Sequence, residues 1–298
     1  MSIPTFTGVT FDDLLELKPK TREVAEHFLS DANRQSDGVE ILTCAKHVRV
    51  YETDDDQVFI DTFYCNHAHC PLCQKRRAKK QRRKIHQLLN QNPELLIGKW
   101  LFLTLTVRDC TVDDLPETVN MMVGGVERMS RRKFWKENVI GGIRFLEVTE
   151  NEGDNEFVHP HFHCLLLVRP SMFEGNHYVS TAKWRKEWQN ALQTYYEPRV
   201  NVRRLKGNRD EMRSEIVKRI GYSMKAREKI LDRRRFLIIT DQMRNRNRIQ
   251  SFGIIRTLLS ELNLQTKSES FEQFEKVRQY HKPSSLVWDW EAGKYRSN

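Results

Sequence analysis

The stretch that decides the fold is VHPHFHCLLLV, residues 158–168, in which three histidines run into a block of apolar residues. The apolar block is typical of a buried β-strand. Side chains two positions apart on a strand share a face, so His161 and His163 project together while Phe162 points into the core. Proline cannot donate to a sheet ladder, so we expect the strand to start just after Pro160. Two imidazoles on one strand face are well placed to share a divalent metal. Histidines that only hydrogen-bond to their neighbours are the alternative.

A carboxylate upstream strengthens the metal interpretation. The segment GGIRFLEVT, residues 141–149, predicts a second strand, and the polar loop 151–155 follows it. The two strands predict an antiparallel hairpin with a long connection. Glu147 shares a face with Phe145 and Thr149, which places it beside the two histidines across the ladder. One carboxylate and two imidazoles leave coordination positions open, and such a site suits a catalytic Mg²⁺ or Mn²⁺. A solvated strand glutamate is the alternative.

The composition is that of a globular protein. The chain has 298 residues, of which 39% are hydrophobic and 30% are charged, and this excludes a disordered chain. Its length is enough for one or two domains. No apolar run approaches the length of a membrane span, and the start MSIPT does not begin a signal peptide. We therefore expect a cytoplasmic protein without a membrane partner.

Positive charge is concentrated in three clusters. The net charge is +10, and the run 75–84 is almost entirely cationic. A second cluster covers 199–206, and a third begins at Arg233 and extends to Arg248. Such runs are often only solvated helix faces, but three of them beside a candidate metal site favour binding of a phosphate backbone. The residues that we predict to contact DNA are Arg76, Arg77, Lys79, Lys80, Arg82, Arg83, Arg203 and Arg204.

A second metal site is predicted by CNHAHCPLC, residues 65–73. In a reducing compartment this cysteine spacing argues against disulfides and for zinc, because C-x2-C lets two thiolates reach one tetrahedral ion. For the fourth ligand we favour Cys44, at the end of the run 41–44 that we expect to form a strand, over His67 or His69. Unliganded neighbouring thiols are the alternative. The predicted structural Zn²⁺ ligands are Cys44, Cys65, Cys70 and Cys73.

Strands and helices are expected to alternate along the chain. We predict strands at 100–107 and 200–205, and helices at about 74–91, 115–137, 180–194 and 209–226. This order indicates an α+β fold with a central antiparallel sheet flanked by helices. The expected domains are a helical segment 1–36, a zinc-binding and basic DNA-contact region 37–92, a catalytic domain 93–264 and a polar tail 265–298.

One tyrosine lies among cations on the predicted helix 209–226. A phenol attacks phosphorus well only when its proton is removed or its oxyanion is stabilised. Lys218 lies four residues before Tyr222 and Lys225 three after it, so both can share its helix face, as can Glu215 one further turn back. We therefore take Tyr222, Lys225 and Glu215 as candidate catalytic residues. An ordinary helix tyrosine with a hydrated hydroxyl is the alternative.

Together these residues resemble the plasmid rolling-circle replication initiators of the HUH endonuclease superfamily, in the branch found on small bacterial plasmids. The resemblance covers about residues 40–226. It rests on four features of the sequence: Cys44 with Cys65-x4-Cys70-Pro71-x-Cys73, the strand 102–107, the segment 145–149 leading into 159–163, and the segment from Trp188 to Arg203. The implied fold is an HUH endonuclease-like domain with an inserted or N-terminal zinc-binding subdomain.

The resemblance implies a reaction as well as a fold. His161 and His163 would bind the divalent metal, with Glu147 as the third ligand. Tyr222 would attack a phosphodiester in single-stranded or extruded DNA at the double-strand origin. The product would be a 5′-phosphotyrosine linkage and a free 3′-hydroxyl, which primes a host polymerase. Plasmid origin DNA and a host helicase and polymerase are the implied partners.

The sequence departs from the family near the tyrosine. Relatives can carry a glutamate about one helical turn before the tyrosine, where this chain has Lys218. The nearest acidic residue before Lys218 is Glu215. Tyr195 is a reserve candidate for the nucleophile. Three alternatives stay open: an HUH-type transposase, a relaxase, and a zinc-containing DNA-binding protein without catalysis.

Overall fold

The computed structural model describes residues 9–54, 57–150, 157–174, 178–222, 233–244 and 246–297; for residues 150, 221–222 and 263–274 it describes the backbone only. The fold is α+β, with antiparallel sheets flanked by helices, as predicted. The described residues form two compact units, one built from 9–84, 233 and 262–297 and the other from 85–222 and 234–261. The domain boundaries given above stay a prediction. Among the described residues, none of the helices is both long and apolar enough to cross a membrane.

The elements alternate along the whole described chain. The helices are α1 (Phe11–Leu29), α2 (Gln35–Thr43), α3 (Pro71–Gln91), α4 (Leu115–Arg131), α5 (Lys133–Asn138), α6 (Thr181–Leu192), α7 (Arg209–Tyr222), α8 (Arg233–Gln242) and α9 (Gly253–Tyr280). The strands are β1 (His47–Glu52), β2 (Val58–Thr62), β3 (Lys99–Thr106), β4 (Cys110–Thr111), β5 (Val139–Glu150), β6 (Phe157–Val168), β7 (Val200–Arg204), β8 (Ile249–Phe252), β9 (Ser284–Asp289) and β10 (Lys294–Ser297).

The sheet of the second unit carries the histidine strand at its centre. Its strand order is β7-β3-β6-β5-β8, and the short β4 also pairs with β6. The hairpin of β5 and β6 is antiparallel, as the sequence predicts. One face of this sheet packs against α4 and α6, where Phe162, Trp184 and Trp188 are fully buried. Gly125 lets α4 approach α6, because a Cβ there would lie 3.0 Å from the Trp188 ring.

The expected start of the histidine strand is wrong. β6 begins at Phe157, and Pro160 lies inside it, opposite Val148 of β5. On the other edge of β6, the pairing with β3 ends at His161 and the pairing with β4 begins at Val158. Pro160 therefore falls in a gap between two partner strands, where a missing N–H donor is tolerated.

Two further elements differ from the sequence expectation. The predicted helix 115–137 is two helices, because Arg132 is extended (φ −73°, ψ 149°) and separates α4 from α5. The run 41–44 is not a strand: it ends α2, and Cys44 is the residue that follows the helix. The buried positions Gly38 and Ile41 are three residues apart, which is helical spacing.

The sheet of the first unit is built from both ends of the chain. Its order is β10-β9-β1-β2, so a strand from the polar C-terminal segment pairs directly with β1. Trp288 of β9 is buried and its ring contacts the ring of Tyr295 of β10, with centroids 4.9 Å apart. The sequence had indicated only a docking segment here.

Candidate functional site

Three ligand atoms converge on one face of the β5–β6 hairpin. The register pairs Glu147 with His161, and it pairs Phe145 with His163. One carboxylate oxygen of Glu147 lies 3.3 Å from Nε2 of His161 and 3.0 Å from Nε2 of His163. The two Nε2 atoms are 3.2 Å apart. Both histidines are buried and Glu147 is partly exposed, so this group has a dry side and a side open to a ligand.

The spacing of these atoms fits a metal ion. Ligand atoms that bind Mg²⁺ or Mn²⁺ at about 2.1 Å and at right angles to one another are about 3.0 Å apart. The three distances of 3.0–3.3 Å therefore match three ligands on one side of an octahedron. A carboxylate with two imidazoles is also a known ligand set for divalent ions that react at open positions. The group can hold a metal and leaves three positions for other oxygen ligands.

Two neighbours orient the imidazoles so that Nε2 faces the ligand group. The Nδ1 atom of His163 lies 3.1 Å from the hydroxyl of Thr104 on β3, and Nδ1 of His161 lies 3.2 Å from the carbonyl oxygen of His159. A proton on each Nδ1 would satisfy these contacts, so that Nε2 could give up its contact with Glu147 and bind a metal instead. Sequence reasoning missed Thr104. Its sequence signal was a polar residue inside the apolar run of β3; the pairing of β3 with β6, which puts Thr104 opposite His163, is a property of the fold.

The carboxyl of Glu147 is ionised in the fold. Burial opposes its ionisation, but hydrogen bonds with His161 and His163 outweigh burial and lower the pKa of Glu147 to about 2. The group is thus an anion at neutral pH, as a metal ligand must be.

Helix α7 packs on the same face of the sheet as the histidines. Its residues Ile216 and Ile220 are buried, and the helix contacts β6. The guanidinium of Arg219 lies 5.0 Å from the ring centroid of Phe102, and that ring stacks on His163 with centroids 5.1 Å apart. Tyr222 is the last residue of α7, one turn after Arg219. The backbone of the candidate nucleophile is therefore carried by the helix that contacts the sheet face with the candidate metal ligands.

The other two candidate catalytic residues are placed differently. Glu215 accepts a hydrogen bond from Arg219 at 3.2 Å, and its other oxygen lies 3.9 Å from the ammonium of Lys218. The structure thus pairs Glu215 with cations of its own helix. The side chain of Tyr222 and the whole of Lys225 lie outside the described residues.

The four predicted zinc ligands lie together in the first unit. Cys44 follows α2, Cys65 and Cys70 lie on the loop after β2, and Cys73 is in the first turn of α3. The Sγ atom of Cys73 is 3.7 Å from that of Cys44 and 3.6 Å from that of Cys65. All four Sγ atoms lie within 4.8 Å of one another. Thiolates that bind zinc tetrahedrally at about 2.3 Å are about 3.8 Å apart, so this group can hold a metal with no position left open.

Hydrogen bonds among the four thiols shift their pKa values in opposite directions. They lower the pKa of Cys65 and Cys73, with the bond to Cys44 as the largest cause, and they raise the pKa of Cys44 and Cys70. The loop is closed by Arg77, which donates to the carbonyl oxygens of Asn66, His67 and Ala68. Rigid placement of partly ionised thiols suits a structural metal.

A buried lysine lies beside the cysteines, and sequence reasoning missed it. The ammonium of Lys18 donates to the carbonyl oxygen of Cys44 at 2.8 Å and lies 4.4 Å from the ring centroid of Trp290. Burial lowers the pKa of Lys18 to about 8. A cation in this position offsets the negative charge of four thiolates.

The basic residues predicted to contact DNA fall into two sets. Those in the first half of the run are held by the protein: Arg77 by the cysteine loop, Arg76 by Tyr64 and Asn66, and Lys79 by Asp13. The guanidinium of Arg204 on β7 lies 4.3 Å from the ring centroid of Phe173, but its side chain stays exposed. The set with exposed side chains is Lys80, Arg82, Arg83, Arg203 and Arg204.

These features can now be compared with known proteins. The sequence profile of the replication protein family matches residues 57–296, which is most of the chain and includes the hairpin, α7 and three of the four cysteines. The chain belongs to this family. The resemblance to replication initiators is thereby confirmed.

Individual relatives carry the same description. The chain is 31% identical over 189 residues to "Protein rep" of Streptococcus pneumoniae, covering 62% of this chain and 59% of that protein. It is 27% identical over 241 residues to "Protein rep" of Lactiplantibacillus plantarum, covering 76% of this chain and 75% of that protein. It is 33% identical over 167 residues to "Protein rep" of Bacillus amyloliquefaciens, covering 55% of this chain and 48% of that protein. The chain thus spans less than two thirds of two of these relatives. No solved structure matches this chain significantly.

Proposed function

We propose that this protein initiates rolling-circle replication of a plasmid by nicking one strand of its double-strand origin. The observation that carries the proposal is the convergence of Glu147, His161 and His163 on the sheet face that contacts α7. Membership of the replication protein family supplies the biological setting.

In the proposed reaction the oxygen of Tyr222 attacks a phosphodiester of unpaired origin DNA. The new bond joins this oxygen to phosphorus, and the bond between phosphorus and the 3′-oxygen breaks. The phenol loses its proton, and the departing 3′-oxygen gains one. The products are a 5′-phosphotyrosine linkage and a free 3′-hydroxyl, which a host polymerase extends while a host helicase opens the duplex.

The protein side chains have separate proposed roles. Glu147, His161 and His163 would hold Mn²⁺ or Mg²⁺, and the bound ion would supply the positive charge that polarises the scissile phosphate. Two imidazoles among three ligands favour Mn²⁺ over Mg²⁺, because Mg²⁺ prefers oxygen ligands. We assign to Lys225 the stabilisation of the phenolate. We assign to Glu215 the activation of water in the terminating cleavage, since it is the nearest acid that precedes the tyrosine.

The zinc-binding group and the basic helix complete the proposal. We propose that Cys44, Cys65, Cys70 and Cys73 bind one structural Zn²⁺. We propose that Lys80, Arg82, Arg83, Arg203 and Arg204 contact the origin phosphates, whereas Arg76, Arg77 and Lys79 serve the fold. A plasmid substrate and unpaired cysteines both indicate the cytoplasm as the compartment.

The test uses a labelled single-stranded oligonucleotide that spans the candidate origin of the protein's own plasmid. Purified protein with Mn²⁺ is expected to give an SDS-resistant protein–DNA band on a denaturing gel, and Tyr222→Phe is expected to remove it. Tyr280→Phe, a change at an exposed tyrosine of α9, is the matched control and should leave the band intact.

The other outcomes refute parts of the proposal. A band that survives in Tyr222→Phe would move the nucleophile to another tyrosine, Tyr195 first. Binding without any band, with the correct origin, would favour a DNA-binding protein that does not catalyse cleavage. His161→Ala with undiminished nicking at ordinary Mn²⁺ concentrations would remove the metal assignment.

A further inference from the structure

A large aromatic side chain is displayed on the surface of the second unit. Tyr195, in the turn between α6 and β7, is 90% exposed. Its ring meets the ring of Tyr196 edge to face, with centroids 5.9 Å apart. The ring of Tyr195 is therefore presented to solvent, where a planar ligand can stack on it.

The neighbours of Tyr195 hold a cation against its ring. The guanidinium of Arg108 lies 5.4 Å from the ring centroid of Tyr195 and 4.4 Å from that of Tyr196. Tyr196 in turn is fixed, because its hydroxyl accepts from the backbone N–H of Arg108 at 3.3 Å and its carbonyl oxygen accepts from Gln189 at 3.0 Å. The two tyrosines and Arg108 therefore form a supported cationic aromatic patch.

This patch lies at the end of β3 that reaches the metal-ligating group. Thr106, the last residue of β3, is paired with His161. Arg108 follows two residues later, so its Cα lies at most about 7 Å from that of Thr106. The backbone N–H of Thr106 also donates to the carbonyl oxygen of Arg199, just after the tyrosine turn. The patch therefore follows the end of β3 that is paired with His161.

The charges around the patch favour a polyanion. Two acids lie close by, but each is paired: Asp109 with His159 at 2.6 Å, and Glu197 with Arg185 at 3.2 Å. An aromatic ring beside an arginine is the combination that binds single-stranded nucleic acid, since any base can stack on the ring while the cation meets the backbone. A paired base in a duplex offers no free face to such a ring.

We propose that Tyr195 and Arg108 form a stacking subsite for an unpaired base of single-stranded DNA, next to the scissile phosphate. This inference rests on the proposed nicking function for the location of the strand. It assigns Tyr195 to binding of the substrate, in place of the reserve role as a nucleophile.

The experiment measures binding, so that it is independent of cleavage. Tyr222→Phe protein, without added Mn²⁺ or Mg²⁺ and without a chelator that would remove zinc, is titrated into a fluorescently labelled single-stranded oligonucleotide and, separately, into the same sequence as a duplex. Adding Tyr195→Ala is expected to weaken single-strand binding roughly 5- to 100-fold, the usual effect of removing one stacked aromatic. Duplex affinity is expected to stay unchanged. Tyr195→Phe keeps the ring and should bind as the parent does, and Tyr280→Ala is the surface control.

A second measurement reports stacking directly. The base analogue 2-aminopurine, placed at successive positions near the nick site, should be quenched at one position by the parent and by Tyr195→Phe, but not by Tyr195→Ala. Equal single-strand affinity of the parent and Tyr195→Ala would overturn the inference. So would equal weakening by Phe and Ala, because the hydroxyl would then be the contact. If stacking holds while the covalent band is absent, the nicking proposal fails and this subsite stands.

Discussion

The hydroxyl of Thr104 provides a sharp test of the metal-ligating group. It lies 3.1 Å from Nδ1 of His163, which is 9% exposed. Thr104→Val keeps the β-branched shape but removes the acceptor, so the Nδ1–H of the metal-binding tautomer loses its partner. Leaving a buried donor unpaired costs about 1–3 kcal/mol, and changes to groups that orient metal-ligating histidines typically cost 10- to 100-fold in affinity. We therefore expect Mn²⁺ to bind about 10-fold more weakly.

The same strand offers a matched control. Thr106 lies two residues further along the same face of β3, and its hydroxyl bonds to the carbonyl oxygen of Arg199 at 2.9 Å rather than to a histidine. Thr106→Val should therefore bind Mn²⁺ as the wild type does. The assay is a titration of DNA-free protein followed by electron paramagnetic resonance of unbound Mn²⁺, so it requires no activity. Equal affinities of the two variants would refute the orientation of His163 by Thr104.

Three further predictions concern the first unit. Cys73→Ala should lose one equivalent of zinc in elemental analysis and melt at a lower temperature, while Cys110→Ala keeps the zinc; unchanged zinc content in Cys73→Ala would contradict the site. Burial opposes ionisation of Asp13, but hydrogen bonds from Lys79, Thr10 and Lys75 outweigh it and lower its pKa to about 2 from 3.8. The stabilisation that the ionised Asp13 carboxylate gives to the fold is therefore complete above about pH 4 and is lost as the pH falls through 2. In urea unfolding, Asp13→Asn should lower the free energy of unfolding by about 1–2 kcal/mol at pH 7 and by little near pH 2. An equal loss at both pH values would count against the ion pair. Arg82→Gln should reduce the slope of log binding constant against log salt concentration by about one. Arg76→Gln should leave that slope unchanged, because Arg76 is held by Tyr64 and Asn66. Equal slopes for the two variants would refute this division of the basic residues.

The β5–β6 hairpin and its candidate metal ligands were predictable from sequence because they depend on local rules. Alternation along a strand determines which side chains share a face, and a short-range antiparallel hairpin determines which strands are neighbours. Those two rules place Glu147 with His161 and His163 on one face. The predicted start of β6 was wrong. A strand tolerates Pro160 here only because the pairing with β3 stops and the pairing with β4 begins on either side of it, and those pairings depend on distant segments of the chain.

The supporting residues were not predictable in the same way. Thr104 orients His163 only because β3 is the other neighbour of β6, and strand order does not follow from periodicity. The basic run 75–84 illustrates the same limit: a charge pattern does not show that Arg77 is directed at the cysteine loop or Lys79 at Asp13. Composition predicts how many cations there are, whereas tertiary contacts decide which of them remain exposed.

The two ligand groups differ in a way that separates folding from chemistry. Four cysteines can supply all four corners of a tetrahedron, so a metal bound there would have no position for a substrate and would act only by joining α2, the loop after β2 and α3. Glu147, His161 and His163 supply three ligand atoms, so a six-coordinate metal bound there would keep positions for oxygen ligands such as a phosphate. A strong chelator should therefore act in two stages: loss of the three-ligand metal stops nicking in a folded protein, and loss of the four-ligand metal lowers the melting temperature. If both effects appeared at one chelator concentration and could not be separated by adding back Mn²⁺, the division of roles would fail.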